Sequence, residues 1–298
     1  MELVRGLVNL TDAHQGCVLT IGNFDGVHLG HQHVLKKLRS EAEKHGVPSV
    51  VMVFEPQPQE VFLGENAAAR ILTFRDKFEK LQKLGVDRLL VVHFNTEFAS
   101  LSPQTFIDEL LVKKLGVKHL IVGDDFKFGK KRSGDYALLQ ESAQSKGFTV
   151  EDSKTLVFSE TRASSTLVRE FLQAGEFALV EQLLGNKFTM QGRVIHGQKN
   201  GRKFGFPTAN IAVKRKVLPI KGVFVVAATV NDTQYFGVAN IGNKPTLDGI
   251  KPVLEVHIFD FSHDIYGQRM TIEPLVKLRD EQKFESVDQL ISQIKRDV

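Results

Sequence analysis

Two histidines separated by two residues, the second preceded by a glycine, close the decapeptide Gly22-Asn23-Phe24-Asp25-Gly26-Val27-His28-Leu29-Gly30-His31. A strand-forming run, Cys17–Phe24, leads into it. A helix-patterned run, His31–Lys44, follows with apolar Val34, Leu35, Leu38 and Ala42 at helical spacing. A strand-to-helix turn of this kind aims backbone N–H groups at an anion. Gly30 lets a phosphate approach the backbone, and His28 and His31 can donate hydrogen bonds as charge builds on phosphate oxygens. The plainer alternative is that His28, His31 and His33 are surface residues at a helix start.

Further segments carry groups of the same chemical bent. Arg162-Ala163-Ser164-Ser165-Thr166-Leu167-Val168-Arg169 opens another helix. Its hydroxyls serve equally as caps or, with Arg169, as a clamp on a polyphosphate. Gly123-Asp124-Asp125-Phe126 ends a strand, as an acidic turn or as a holder of the polar and aromatic parts of a second substrate. Toward the C-terminus, Gly192–Gly197 and Gly201–Asn210 mix glycine with basic residues, a composition that can wrap a nucleotide through backbone N–H groups. Thr208 and Asn210 lie two apart on an extended segment and so face one side, offering hard oxygens suited to Mg²⁺. Leu254–Phe259 alternates cleanly, with Glu255 and His257 on one face. A glutamate facing a barrel pocket suits a general base for a substrate hydroxyl. A strand carboxylate facing solvent has the same spacing.

The elements that must position these groups follow from periodicity. Strand-like Cys17–Phe24, Pro48–Phe54, Arg88–Phe94, His119–Val122 and Phe148–Glu151 alternate with helix-like His31–Lys44, Phe74–Leu84, Pro103–Leu115 and Tyr136–Lys146. This α/β alternation predicts a doubly wound parallel sheet, with chemistry in the loops beyond the strands' carboxyl ends. Two short helices, Ser165–Gln173 and Glu176–Leu184, precede a change of pattern near residue 185. Six short β-rich runs then predict a small antiparallel six-stranded β-barrel, closed by a C-terminal helix at Val287–Lys295. The expected domains are 1–184 and 185–298.

Composition bounds the possibilities. A chain of 298 residues with 42% apolar and 25% charged content buries real cores, about two domains' worth at roughly 150 residues each. No apolar run approaches the roughly 20 residues a bilayer crossing needs. The single Cys17 cannot form an internal disulfide, and no secretory signal pattern opens the chain, so a cytoplasmic location is expected. The net charge of +4 averages a −2 stretch over 1–184 and a +6 stretch over 185–298. Residues 182–231 hold nine basic side chains and no acidic one. Such a field draws phosphates of a nucleotide or of nucleic acid, unless it is only a solvated face. The dense aromatic interleaving of a nucleic-acid stacking platform is missing from it.

GNFDGVHLGH, VGDDFKFG and SSTLVR, in this order, resemble the adenylyltransferase module of prokaryotic FAD synthetase, a nucleotidyltransferase with a His-x-Gly-His signature. GRVIHGQKNGRKFGFPTANI, GVANIGNKPT, LEVHIFDF and KLRDEQKF resemble the riboflavin kinase module that follows it in bifunctional bacterial enzymes. The resemblance implies that riboflavin is phosphorylated to FMN and FMN adenylylated to FAD, with ATP and Mg²⁺ at both steps and no nucleic acid or membrane partner. It puts Gly22, Asn23, Phe24, Asp25, His28, Gly30, His31, Ser164, Ser165, Thr166 and Arg169 around ATP in the first module. Asp124, Asp125 and Phe126 would lie nearer its flavin nucleotide. In the second module it implies ATP and Mg²⁺ at Thr208 and Asn210, with Gly197, Gly201, Lys203 and Phe206 also on ATP. Glu255 would be the base, and Arg279 and Phe284 would close over flavin. One departure stands out: some members carry histidine where this chain has Gln57 in Phe54-Glu55-Pro56-Gln57-Pro58, and glutamine cannot carry charge.

Overall fold

A computed structural model describes residues 1–123, 125–153, 157–158, 161–197, 201, 205–246 and 249–298. The chain divides into two units, the first comprising Met1–Ala68 and Phe74–Ser165, the second Ala69–Thr73 and Thr166–Val298. In the first unit β2 (Cys17–Ile21), β3 (Ser49–Phe54), β4 (Arg88–Val92) and β5 (Val117–Val122) are buried almost throughout. Continuous rather than alternating burial is the mark of a parallel sheet covered on both faces. With β1 (Glu2–Arg5) and β6 (Thr149–Asp152) they form a six-stranded sheet in the order β1-β4-β3-β2-β5-β6, every pairing parallel. Periodicity predicts five of these strands. Edge strand β1 escapes it because a four-residue Glu-Leu-Val-Arg run has too little pattern to register. A separate two-stranded ribbon, β7 (Val157–Phe158) and β8 (Thr161–Arg162), follows the sheet.

One face of the sheet carries Leu19, Met52, Leu90 and Leu120 in a core with Phe106, Ile107, Leu110 and Leu111 of the helix after β4 and Leu139 of the helix Tyr136–Lys146. The helix after β4 was expected to be regular from Pro103 to Leu115. It starts so, with Ser102 Oγ accepting the Thr105 amide at 3.0 Å, but Phe106–Lys114 is a π-helix. The wider turn lets neighbours at i, i+1, i+4 and i+5 all reach the sheet. On the other face α1 (Leu29–His45) buries Leu35, Leu38 and Ala42. The chain turns one way from β2 to β3 and the other way through β5, so the loops after β2 and β5 diverge. The crevice at such a switch point is where open α/β sheets bind ligands, and both the histidine loop and Gly123, which follows β5, emerge there.

In the second unit β9 (Met190–Ile195), β10 (Ala209–Ile211), β11 (Gly222–Val230), β12 (Thr233–Thr246), β13 (Gly249–Ile258) and β14 (Arg269–Arg279) close into an antiparallel barrel, ordered β10-β13-β12-β11-β14-β9. Both expected architectures are thus present. β12 and β13 run longer than periodicity suggested, because Gly242 and Pro252 read as strand breakers yet stay in register, Gly242 opposite Val253 and Asn243 opposite Pro252. The last helix, Val287–Asp297, is capped by Ser286, whose Oγ accepts the Gln289 amide. The helices Ser165–Ala174 and Phe177–Leu184 group with the barrel. So does the short segment Ala69–Thr73: Arg169 Nε donates to the Ala69 carbonyl at 2.6 Å and buried Arg215 to that of Ile71 at 3.0 Å. Phe224, fully buried in β11, meets Phe177 edge-on at 5.9 Å. Phe224→Ala is expected to destabilise this unit by about 3–5 kcal/mol, read as a lowered denaturant midpoint. Among the described residues no helix is long and apolar enough to cross a membrane.

Candidate active sites

The histidine loop leaves β2 under backbone strain. Phe24 and Val27 both sit at φ +47°, a region that side chains with a Cβ rarely occupy, and both are buried. Such conformations persist only where the surroundings hold them, and they gather at ligand-binding turns. The result is that His28 becomes the N-cap of α1, its Nδ1 accepting the His31 amide at 3.4 Å. An accepting Nδ1 puts the proton of the neutral ring on Nε2. The two imidazoles stack at 3.7 Å, and the Phe24 ring lies tilted beside His31 at 4.8 Å. A Cβ at Gly30 would come within 3.1 Å of the His28 ring, so a glycine is what allows the stack.

Electrostatics then separate the pair from ordinary surface histidines. Burial, and after it the charges of His28 and of Lys77, hold His31 well below the usual imidazole range. His31 is therefore a neutral hydrogen-bonding group. Lys77, on the helix Phe74–Lys83, is only 1% exposed, and no sequence signal marked it. Two buried polar atoms just beyond the strands' carboxyl ends, His31 Nδ1 in the first turn of α1 and Gln57 Nε2, have no hydrogen-bond partner among the described residues. Buried polar groups are normally satisfied, so two orphans following adjacent strands point to a polar ligand. Gln57 follows β3, and its backbone amide donates to Glu60 Oε2 at 2.9 Å.

Of the second segment, Ser165 reaches the histidine loop directly: its Oγ donates to the Asp25 carbonyl at 2.8 Å. Ser164 immediately precedes that contact. Thr166 and Arg169 fall in the second unit, where Arg169 is engaged by the Ala69 carbonyl. Phe126 stacks on Phe128 at 5.6 Å, and the Asp125 carboxylate folds back over Gly123. Asp124 lies outside the described residues, as do Arg202, Lys203 and Phe204. An aromatic chain unmarked in the sequence runs from exposed Phe62 through Phe94, Phe98, Phe106 and Phe128 to Phe126. Its members come from separate loops and helices, and no linear pattern joins them.

The barrel holds the second constellation. In the ladder, Glu255 of β13 stands opposite Asn210 of β10 on one side and Asn240 of β12 on the other. Directly paired residues point to the same face, and all three line one cavity of about 360 Å³. Gly201, Phe206, Thr208, His257, Arg279 and Phe284 also line it. Residues expected on ATP, on flavin and at the base thus surround one space. Asn240 lies within GVANIGNKPT but nothing in the linear chain singles it out, and its place follows from register alone. Thr208 also lines a second cavity, of about 440 Å³, beside Phe261–Tyr266. One hydroxyl therefore stands where two cavities meet, a geometry for bringing two substrates together.

The turn before β10 is held by close packing. A Cβ at Gly197 would fall 2.3 Å from the Asn210 carboxamide, so only glycine fits. The Phe206 amide donates to the Gly201 carbonyl at 2.9 Å. His257 Nδ1 donates to the Pro207 carbonyl at 2.8 Å, fixing the residue before Thr208. Among the described residues no three His, Cys, Asp or Glu side chains are placed to hold a metal ion. Thr208 and Asn210 remain as neutral oxygen donors on one cavity wall, the donor type that a phosphate-bridging cation takes.

The sequence profile of FAD synthetase matches residues 10–167, and that of riboflavin kinase matches residues 184–298. A bifunctional riboflavin kinase/FMN adenylyltransferase from Haemophilus influenzae is 50% identical, spanning 100% of this chain and 97% of that protein. One from Escherichia coli K12 is 48% identical, spanning 100% and 96%. A solved structure from Streptococcus pneumoniae, described as a macrolide-efflux protein, is similar with a TM-score of 0.82 and 30% identity, covering 100% of this chain and 97% of that one. With one profile over each half and 50% identity across its length, the chain belongs to the bifunctional riboflavin kinase/FMN adenylyltransferase family.

Proposed function

We propose that the two units house the two reactions of this family, each with the residues assembled above. The chain phosphorylates riboflavin to FMN with ATP and transfers AMP from a second ATP to FMN, giving FAD and pyrophosphate. The row Asn210–Glu255–Asn240 in a cavity that shares Thr208 with its neighbour is the observation that carries the kinase assignment. ATP occupies the cavity beside Phe261–Tyr266, its phosphates reaching Thr208 and Asn210, with Gly197, Gly201 and Phe206 near them. Riboflavin occupies the other cavity, its ring system toward Arg279 and Phe284. Glu255 takes the proton of the ribityl 5′-hydroxyl as that oxygen bonds to the γ-phosphorus and ADP departs. Asn210 and Asn240 flank Glu255 on the neighbouring strands of the same cavity wall. Mg²⁺, when bound to Thr208, Asn210 and phosphate oxygens, supplies neutralisation of the phosphate charge.

In the first unit an FMN phosphate oxygen attacks the α-phosphorus of ATP, and the bond to pyrophosphate breaks. His28 and His31 donate hydrogen bonds to the α- and β-phosphates. The orphaned Nδ1 of His31 and Nε2 of Gln57 support a ligand at this edge. Gly22, Asn23, Phe24, Asp25 and Gly30 form the ATP loop, and Ser164 and Ser165 close it. Asp125 and Phe126 face FMN. The basic 182–231 stretch serves nucleotide phosphates rather than nucleic acid. The consumption of ATP and the lone cysteine agree with a cytoplasmic location.

Incubation with riboflavin, ATP and Mg²⁺, with FMN and FAD separated by chromatography, tests both assignments. FMN is expected first and FAD after it. Folded protein that makes neither compound would overturn the reading.

A further inference from the structure

The final residue of the C-terminal helix is Asp297, and helix ends disfavour negative charge because the last carbonyls already carry it. Its carboxylate is also nearly buried, with only 8% of the side chain exposed, which adds a desolvation cost. Both penalties are offset chiefly by one partner. Arg279, the last residue of β14, donates from Nε to Asp297 Oδ1 at 3.1 Å and from Nη2 to Oδ2 at 2.6 Å, a bidentate pair across the two elements. Gln293, one turn back, donates to Oδ1 at 2.9 Å. Burial pushes the Asp297 carboxyl up, but these hydrogen bonds outweigh it and leave the group below its ordinary range, an acceptor in use.

The remaining arm of the guanidinium is occupied as well: Nη1 donates to the Asp280 carbonyl at 3.1 Å. All three nitrogens of Arg279 are therefore held by protein acceptors, and the guanidinium carbon lies 5.8 Å from the centre of the Phe284 ring. Arg279 acts here as a strut. One end is the barrel rim, and the other is the helix whose Leu290 and Ile294, with Val298 just past its end, line the same cavity as Glu255.

We propose that Asp297 is a positioning residue for riboflavin phosphorylation, which acts by locking Arg279 so that Phe284 and the C-terminal helix form one fixed wall of the flavin cavity. The proposal rests on the kinase reading above. The wall touches the flavin and not the phosphates, so its loss weakens flavin binding more than turnover.

The test is steady-state kinase kinetics on the full chain for wild type, Asp297→Asn and Asp297→Glu, with riboflavin binding followed by flavin fluorescence. Asparagine keeps the shape and loses the bidentate charge pair. Asp297→Asn is expected to raise the riboflavin KM and dissociation constant by about tenfold or more, with kcat and the ATP KM within about twofold of wild type. Asp297→Glu should recover most of the affinity. FMN adenylylation by the same polypeptide should be unchanged. Wild-type riboflavin affinity in Asp297→Asn would overturn the proposal. So would a fall in kcat with riboflavin and ATP affinity lost in parallel, the pattern of a general structural defect. Should Asp297→Asn not fold, Gln293→Leu removes one hydrogen bond to the carboxylate and keeps the charge. A smaller rise in riboflavin KM is expected there, and no change would count against the proposal. Wild-type protein that forms no FMN would instead sink the kinase reading itself.

Discussion

Glu255→Gln should stop FMN formation while FMN added from outside is still converted to FAD. Glutamine preserves volume and the pairing with Asn210 and Asn240, so the barrel keeps its ladder. What disappears is the acceptor for the hydroxyl proton. General-base catalysis contributes about 10²–10⁴-fold, so kcat for the kinase should drop by that order while riboflavin and ATP still bind. Chromatography with riboflavin or FMN as the starting flavin reads the two steps separately. Kinase activity within a fewfold of wild type would remove Glu255 from the reaction. Loss of both activities in folded protein would contradict two independent sites.

His31→Ala should do the reverse. The substitution deletes a ring that stacks on His28 and touches Phe24, and removes a donor placed where phosphate charge develops. Losing one such donor costs about 10²–10³-fold in rate, so adenylylation should fall by that much while riboflavin phosphorylation continues, with circular dichroism and denaturant unfolding checking that the first unit is folded. The pH behaviour is distinctive too. His31 stays neutral in the fold, because burial, then His28 and Lys77, depress its affinity for a proton, whereas an unfolded histidine takes one near 6.5. Stability from this group is thus complete above that pH and declines as the pH falls below it, since only the unfolded state gains the proton. His31→Ala should flatten that part of a stability-against-pH curve measured by denaturant unfolding.

Much of this was legible in the linear chain wherever function and local structure share one segment. The histidine loop lies between a strand and a helix that periodicity finds, and the extended Thr208–Asn210 and alternating Glu255–His257 announce a common face. Where periodicity fell short, the cause was geometric. β1 was too short to show a pattern, and the strands around Gly242 and Pro252 were held by pairing against local preference. The π-helix at Phe106–Lys114 answers to the sheet beneath it. Arg279 was expected on the flavin itself, and its partner Asp297, 18 residues away, carried no mark of a site.

By itself the sequence determined the two architectures, the order of the modules and the residue types available for phosphate chemistry. These depend on hydrophobic period and on short motifs, which are local properties. Only the tertiary structure decided which atoms share a space: Asn240 beside Glu255, Lys77 acting on His31, and Gln57 Nε2 left without a protein partner. Strand order, register and burial set those relations, and each is fixed by packing between segments far apart in the chain.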